Sequence, residues 1–212
     1  MRIDKAGVPF IAGALVPAAG LALARRPGWA AGFAAAAGFF AFFFRDPDRR
    51  VPEGPDLVVS PADGRVMISG PADARWAPPG RWNQVTVFLS PLDVHINRSP
   101  VEGRVRRIEY RPGRFLPAYD AGSNDNELNE IWLESDGRTI VVRQVVGILA
   151  RRIVCRVREG DDVARGERIG LMKFGSRMDV FVPPDAELRV TAGQRVTAGE
   201  TVIATLERSR AE

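Results

Sequence analysis

Gly160-Asp161-Asp162-Val163-Ala164-Arg165-Gly166-Glu167-Arg168-Ile169 returns 33 residues later as Gly193-Gln194-Arg195-Val196-Thr197-Ala198-Gly199-Glu200-Thr201-Val202. Aligned without a gap, each copy reads as a glycine turn, one apolar anchor, a second glycine turn and the start of a strand. Neither unit can cover its own apolar face, so two of them facing each other bury it between them. Outward from the repeat, short β-rich runs alternate with Gly, Pro and Asp at 57–59, 65–68, 85–89, 139–146, 153–157, 178–182 and 201–206. No run after Arg45 has the length and 3.6-residue period of a helix, so residues 45–212 are expected to form a mainly β sandwich or barrel.

Residues 1–44 follow a different rule. Residues 7–24 and 28–44 carry no charge, and Arg25-Arg26-Pro27 separates them, with Pro27-Gly28 as a turn signal. As helices they would be roughly 26 Å long, just short of a hydrocarbon core of about 30 Å. Apolar residues surround each segment instead of forming a stripe. Seven of the eleven Phe lie here, and Trp29 is placed for one interface. The expectation is a tight helical hairpin in a membrane. A signal peptide ending in Ala22-Leu23-Ala24 competes, but the second apolar run would then act as an anchor. Arg25 and Arg26 compete with the basic residues flanking both ends, which leaves the orientation open.

Thirty basic against 26 acidic side chains give a net charge of +4. Four basic groups and one acid fall in residues 1–44, leaving 26 and 25 for the rest. A surface so close to neutral lacks the dense cationic face of a nucleic-acid-binding domain. One cysteine, Cys155, excludes an intramolecular disulfide and a Cys-cluster metal site. One histidine, His95, excludes a multi-histidine metal centre, so no metal is expected. Cys155, flanked by Ile153, Val154 and Val157, reads as a buried strand residue.

The Gly-x-x-Val-x-x-Gly-Glu spacing resembles the barrel-sandwich fold of lipoyl and biotinyl carrier domains, whose modified lysine sits on a hairpin between the repeats. Leu171-Met172-Lys173-Phe174-Gly175-Ser176 holds that place here, and Met172-Lys173 matches two residues of the biotin carriers' Met-Lys-Met. One reading is therefore a membrane-tethered carrier module modified at Lys173. Another leaves Lys173 as a solvated hairpin residue. Carrier domains are small and soluble, and that reading gives the residues between Pro61 and Gly160 no purpose.

Gly175-Ser176 offers different chemistry. A hydroxyl directly after glycine can attack the preceding carbonyl and turn the amide into an ester, because glycine has no Cβ to obstruct the approach. Such a weak nucleophile needs a base. By itself the dipeptide is usually a turn. The base, if an imidazole, can only be His95, in Ser90-Pro91-Leu92-Asp93-Val94-His95-Ile96-Asn97-Arg98. A lone histidine is more often structural than catalytic. A carboxylate would orient the ring and balance its charge. Asp63, in Ser60-Pro61-Ala62-Asp63-Gly64, is the best candidate, although that segment also reads as a plain β-turn. Asp93 is nearer to His95 in sequence, but two residues apart on an extended segment does not fix a contact.

Taken with Phe43-Phe44-Arg45-Asp46-Pro47 and Lys173-Phe174-Gly175-Ser176-Arg177-Met178-Asp179-Val180, these segments resemble the short, membrane-associated form of phosphatidylserine decarboxylase along nearly the whole chain. Arg177 stands where long forms have Thr, and Asn126-Glu127-Leu128 lacks the arginine of the family's Asn-Glu-Arg segment. The resemblance implies a proenzyme, a zymogen that cleaves itself between Gly175 and Ser176 into a β chain (1–175) and an α chain (176–212). Ser176 then becomes a covalent pyruvoyl cofactor, and Asp63, His95 and Ser176 match the self-processing triad. It further implies a barrel-sandwich catalytic domain (45–212) behind an N-terminal hairpin (1–44).

The implied reaction converts phosphatidylserine to phosphatidylethanolamine, through a Schiff base between the headgroup amine and the pyruvoyl ketone that accepts the electrons left by carbon dioxide. A proton donor must quench the carbon, and His95 is the only imidazole available. Archaetidylserine remains an alternative lipid. The implied location is the cell membrane, with the catalytic domain on the cytoplasmic side, and the implied assembly is a homodimer. A membrane segment suits such a substrate, since extracting a lipid exposes acyl chains at about 0.8 kcal/mol per CH₂.

Overall fold

Two apolar helices make up most of Met1–Asp48, the first of two units into which the chain divides; the second is Arg49–Glu212. The computed structural model describes residues 2–117, 124–147, 152–173 and 176–206. In the first unit the Asp4 carboxylate accepts the Ala6 N–H at 2.9 Å and starts a short 3-10 turn, Lys5–Gly7. Helix α1 (Val8–Leu23) and helix α2 (Pro27–Phe43) follow. Each has proline in its first turn, where the missing N–H has no intrahelical partner to lose. Arg25, at φ 55°, makes the reversal between them.

The helices run antiparallel, because Phe10 near the start of α1 packs on Phe40 and Phe44 at the end of α2, with ring centroids 5.5 and 5.3 Å apart. The open end is tied by the Asp4 N–H to the Phe44 carbonyl at 2.8 Å and by strands β1 (Arg2–Ile3) and β2 (Arg45–Asp46). Gly7 permits this closure, since a Cβ there would lie 2.5 Å from the Phe44 side chain. Leu15, Val16, Leu23, Trp29, Phe33, Phe39 and Phe42 are exposed. Residues Lys5–Leu23, with mean hydropathy 1.9, are long and apolar enough to cross a membrane; Pro27–Phe43 is shorter.

The second unit is mainly β. In chain order its strands are β3 (Leu57–Val59), β4 (Gly64–Pro71), β5 (Asn83–Leu89), β6 (Ile96–Arg98), β7 (Gly103–Arg111), β8 (Leu128–Ser135) and β9 (Arg138–Val146). Then come β10 (Ile153–Cys155), β11 (Asp162–Val163), β12 (Arg168–Met172), β13 (Ser176–Val182), β14 (Glu187–Leu188), β15 (Arg195–Val196) and β16 (Val202–Thr205). One eight-stranded antiparallel sheet has the order β11-β7-β8-β9-β13-β5-β4-β15, and two three-stranded sheets have the orders β10-β12-β6 and β14-β16-β3.

This order is a palindrome about the β9–β13 pair. The register carries the duplication down to single residues. Arg168 faces Arg98 and, after a bulge, Gly170 faces Asn97; equivalently Val202 faces Val59 and, after a bulge, Ala204 faces Val58. Gly166 N–H donates to Ser99 O, and Gly199 N–H to Ser60 O, both at 2.8 Å. Each Ser-Pro corner is closed by its own hydroxyl, Ser60 Oγ on Ala62 O and Ser99 Oγ on Val101 O, both at 2.7 Å. The two corners exchange bonds, Arg98 N–H to Pro61 O and Val59 N–H to Pro100 O, both at 2.9 Å. The sequence repeat is thus one part of a larger duplication. Its gap-free alignment slips by one residue beyond Gly166 and Gly199, since Ser99 N–H donates to Glu167 O but Ser60 N–H to Thr201 O.

Alternation along the large sheet sends Val85, Val87, Leu89, Ile131, Leu133, Ile140, Val142, Met178, Val180 and Val182 into one core, joined by Ile169, Met172 and Ile203. The opposite face is buried around charge. Glu130 accepts from Arg143 Nε and Nη2 at 2.9 and 2.6 Å, Arg143 Nη1 donates to Trp76 O at 2.7 Å, and Thr86 Oγ1 donates to Asp179 at 2.8 Å. Strands β7 and β8, absent from the sequence-based strand runs, are rich in charge: β7 reads GRVRRIEYR, with Val105 buried and its arginines outward.

Candidate active site

Ser176 opens β13 at the centre of the large sheet, between Leu89 of β5 and Val146 of β9. It shares the inner face with Met178 and Val180. The residue is fully buried, and its Oγ has no hydrogen-bond partner among the described residues. A buried hydroxyl left unpaired costs about 1–3 kcal/mol, so its place in this core calls for an explanation.

His95 is brought to the same corner by strand pairing. The chain leaves β5 at Leu89, opposite Ser176, turns through residues 90–95 and re-enters as β6. β6 pairs with β12, and the Met172 N–H at the end of β12 points at the His95 carbonyl from 3.4 Å. Ser176 follows Met172 by four steps along the chain, a reach of at most roughly 14 Å. The imidazole is 1% exposed, and its Nδ1 lies 2.9 Å from the Asp93 carbonyl oxygen. A carbonyl only accepts, so Nδ1 carries a proton and Nε2 is the basic nitrogen of the neutral ring.

The Asp93 carboxylate braces this turn. It accepts from Ser90 N–H at 2.8 Å and Ser90 Oγ at 2.7 Å, and pairs with Arg195. The Asp63 carboxylate has different partners: Arg49 Nη2 at 2.9 and 2.7 Å, and the Ala198 N–H at 2.8 Å. Nδ1 of the imidazole thus meets a backbone carbonyl, while the Asp63 carboxylate is held by Arg49 and the Ala198 N–H. Lys173, directly after β12, donates its N–H to Arg152 O at 3.4 Å. Gly175 lies outside the described residues.

The duplication relates Asp63, His95 and Ser176 to definite positions in the other half. Gly64 and Gly103 correspond, each needed because a Cβ would lie 2.1 or 2.3 Å from a carbonyl oxygen, of Phe88 or Glu134. Counting from them and from the strand registers, Asp63 corresponds to Glu102, His95 to Asp56 and Ser176 to Arg138. Asp56, Glu102 and Arg138 together line one cavity of about 330 Å³.

The core beside His95 also holds a chain of amides that strand patterning alone does not single out. Asn129 Nδ2 donates to Gln144 Oε1 at 3.0 Å, Gln144 Nε2 to Asn97 Oδ1 at 2.8 Å, and Asn97 Nδ2 reaches the His95 carbonyl at 3.4 Å. Its one sequence signal is the inward parity of Gln144 in the apolar run of β9. Among the described residues no cluster of side chains suited to a metal ion forms.

A family model described as phosphatidylserine decarboxylase matches residues 36–204. The phosphatidylserine decarboxylase proenzyme of Gluconobacter oxydans (strain 621H) is 47% identical over 211 residues, covering 95% of this chain and 93% of its own. The proenzyme of the same name from Solibacter usitatus (strain Ellin6076) is 43% identical over 205 residues, covering 96% and 97%. That from Wolbachia sp. subsp. Brugia malayi (strain TRS) is 43% identical over 177 residues, covering 81% and 77%.

Proposed function

The chain belongs to the phosphatidylserine decarboxylase family, and on that premise we propose that it decarboxylates phosphatidylserine to phosphatidylethanolamine after cutting itself at Gly175-Ser176. The observation that carries this reading is the buried hydroxyl of Ser176, which has no hydrogen-bond partner among the described residues, on a strand end paired with Leu89, six residues before a buried histidine whose Nδ1 meets a carbonyl.

In the cut, His95 Nε2 takes the Ser176 Oγ proton as Oγ bonds to the Gly175 carbonyl carbon. The C–N bond breaks, the nitrogen takes a proton, and Gly175 is left as an ester on Oγ. Loss of the Ser176 α proton expels the Gly175 carboxylate. The resulting dehydroalanine adds water and releases ammonia, leaving a pyruvoyl group at position 176. That group would supply an electron sink for the decarboxylation. Burial of Ser176 keeps bulk water from competing for the ester, and His95 remains as the proton donor to the substrate carbon.

Asp63 supplies negative charge on the same rim rather than a direct grip on the ring. Its support is the duplication, since the counterparts of Asp63, His95 and Ser176 share one cavity. The apolar helices hold the catalytic unit at the lipid surface, at the cell membrane on its cytoplasmic side. The carrier reading has no comparable support, as the family match runs through both the Asp63 and the His95 segments.

Intact mass of the purified full chain tests the proposal. Two fragments dividing at residues 175 and 176 are expected, the smaller blocked at its N-terminus and reactive to a carbonyl reagent. Phosphatidylserine vesicles should yield phosphatidylethanolamine and carbon dioxide. A single unmodified chain would overturn the reading.

A further inference from the structure

Polar residues fill one part of the duplicated core and apolar residues the matching part. Asn97 and Gln144 are fully buried, and Gly170 stands between their strands, where a Cβ would sit 2.8 Å from Gln144 Nε2. By the registers, Asn97 corresponds to Val58, Gln144 to Val182 and Gly170 to Ala204. Val58, Val182 and Ala204 are all fully buried core residues. The architecture therefore packs these three places with aliphatic side chains when nothing else is asked of them. Buried amides in the half that carries the base need another explanation.

We infer that Gln144 and Asn97 are positioning residues for self-cleavage, locking the strand of His95 to the sheet of Ser176. The inference rests on the proposed roles of His95 and Ser176. The two reacting groups stand on different sheets: Ser176 on β13, paired with β9, and His95 at the entrance to β6. Gln144 faces Met178 across the β9–β13 ladder, two residues along from Ser176. Its amide crosses from that sheet to Asn97, and Asn97 reaches the His95 carbonyl. Donation runs one way along the chain, from Asn129 through Gln144 and Asn97 to His95 O, so each amide fixes the orientation of the next. Amides do not titrate near neutrality, so the tether holds its geometry whether the imidazole is charged or neutral. A nucleophile and base held from separate sheets need such a crosslink, because a displacement of about 1 Å can cost on the order of 10²-fold in rate.

The test replaces the amides with what the other half uses. Full-length proenzyme carrying Asn97→Val and Gln144→Val is made by cell-free synthesis, and the appearance of the two fragments is timed across pH. Wild type and Ser176→Ala are run beside it. The double variant should melt within a few degrees of Ser176→Ala yet cleave at least about tenfold more slowly than wild type. Cleavage at the wild-type rate with an unchanged pH profile overturns the inference while leaving the roles of Ser176 and His95 intact. Gln144→Glu keeps the shape and guards against a misfolded double variant. Ionised, the glutamate cannot donate to Asn97; protonated, it can. Its rate relative to wild type should therefore rise as pH falls, and a ratio that stays flat across pH overturns the inference. Cleavage in Ser176→Ala, or none in wild type, would sink the self-cleavage reading itself and the inference with it.

Discussion

Asp93 holds His95 by its backbone and not by its charge: the Asp93 carbonyl oxygen lies 2.9 Å from His95 Nδ1, while the carboxylate is spent on Ser90 and Arg195. The carboxylate thus shapes the turn that aims the carbonyl. Asp93→Ala should slow appearance of the two fragments by about tenfold, from a loosened turn. Arg195→Ala should have a smaller effect, because the Arg195 side chain is 64% exposed and an exposed pair contributes little. Equal losses in the two variants would show that the ion pair, and not the Ser90 cap, sets the turn.

Ser176→Ala should abolish cleavage and also stabilise the uncut chain. The buried Oγ has no partner among the described residues, so its removal relieves a penalty of about 1 kcal/mol. The proper reference is His95→Gln, which should also remain uncut or cut very slowly. A lower melting temperature for Ser176→Ala than for His95→Gln would mean that the hydroxyl is satisfied after all.

Asp63→Asn tests charge on the rim. It preserves shape but removes the negative charge that Arg49 and the Ala198 N–H hold in place. Cleavage should slow, and Arg49→Met should have a separate structural cost, seen in thermal melts, since it strips Asp63 of a partly buried ion pair. Unchanged cleavage in Asp63→Asn would remove Asp63 from the chemistry.

Glycine substitutions should divide sharply. Gly103→Ala places a Cβ 2.3 Å from Glu134 O within a paired strand, and should lower stability by about 3 kcal/mol or prevent folding. Gly38→Ala in α2 meets nothing within 4 Å and should be neutral or stabilise the helix by up to about 1 kcal/mol. Denaturant titration of each unit's signal distinguishes them.

Leu15 and Val16 are exposed in the middle of α1. Replacing both with Arg should weaken sedimentation with phosphatidylserine vesicles, since each Arg at a bilayer centre costs about 2.5–3.5 kcal/mol. Self-cleavage should continue, because neither residue belongs to the catalytic unit. Undiminished sedimentation would show that α1 does not enter the lipid.

The apolar helix pair and the β class were legible in the sequence because each has a local signal: uncharged runs and Gly-Val-Gly-Glu turns. Strands β7 and β8 were not, because their outward residues are charged and the apolar alternation is thin. The repeat pointed to a duplication but understated it. The Ser60-Pro61 and Ser99-Pro100 corners share only a dipeptide, and their equivalence comes from backbone bonds that no side chain announces. For the same reason the Asp93 carbonyl that meets His95 Nδ1 has no signal in the sequence, unlike the carboxylate of Asp63. A carboxylate is visible in a sequence, whereas a carbonyl at the right distance belongs to any residue.

Strand β13 lies between β5 and β9, both of which precede residue 175 in the chain. A scission at its leading end would sever one covalent link and leave both flanking ladders intact. The short product would stay clamped as a middle plank, with β15 paired to β4 and β16 to β3. Maturation of this kind would need no reassembly, because the two polypeptides it created would remain interlocked.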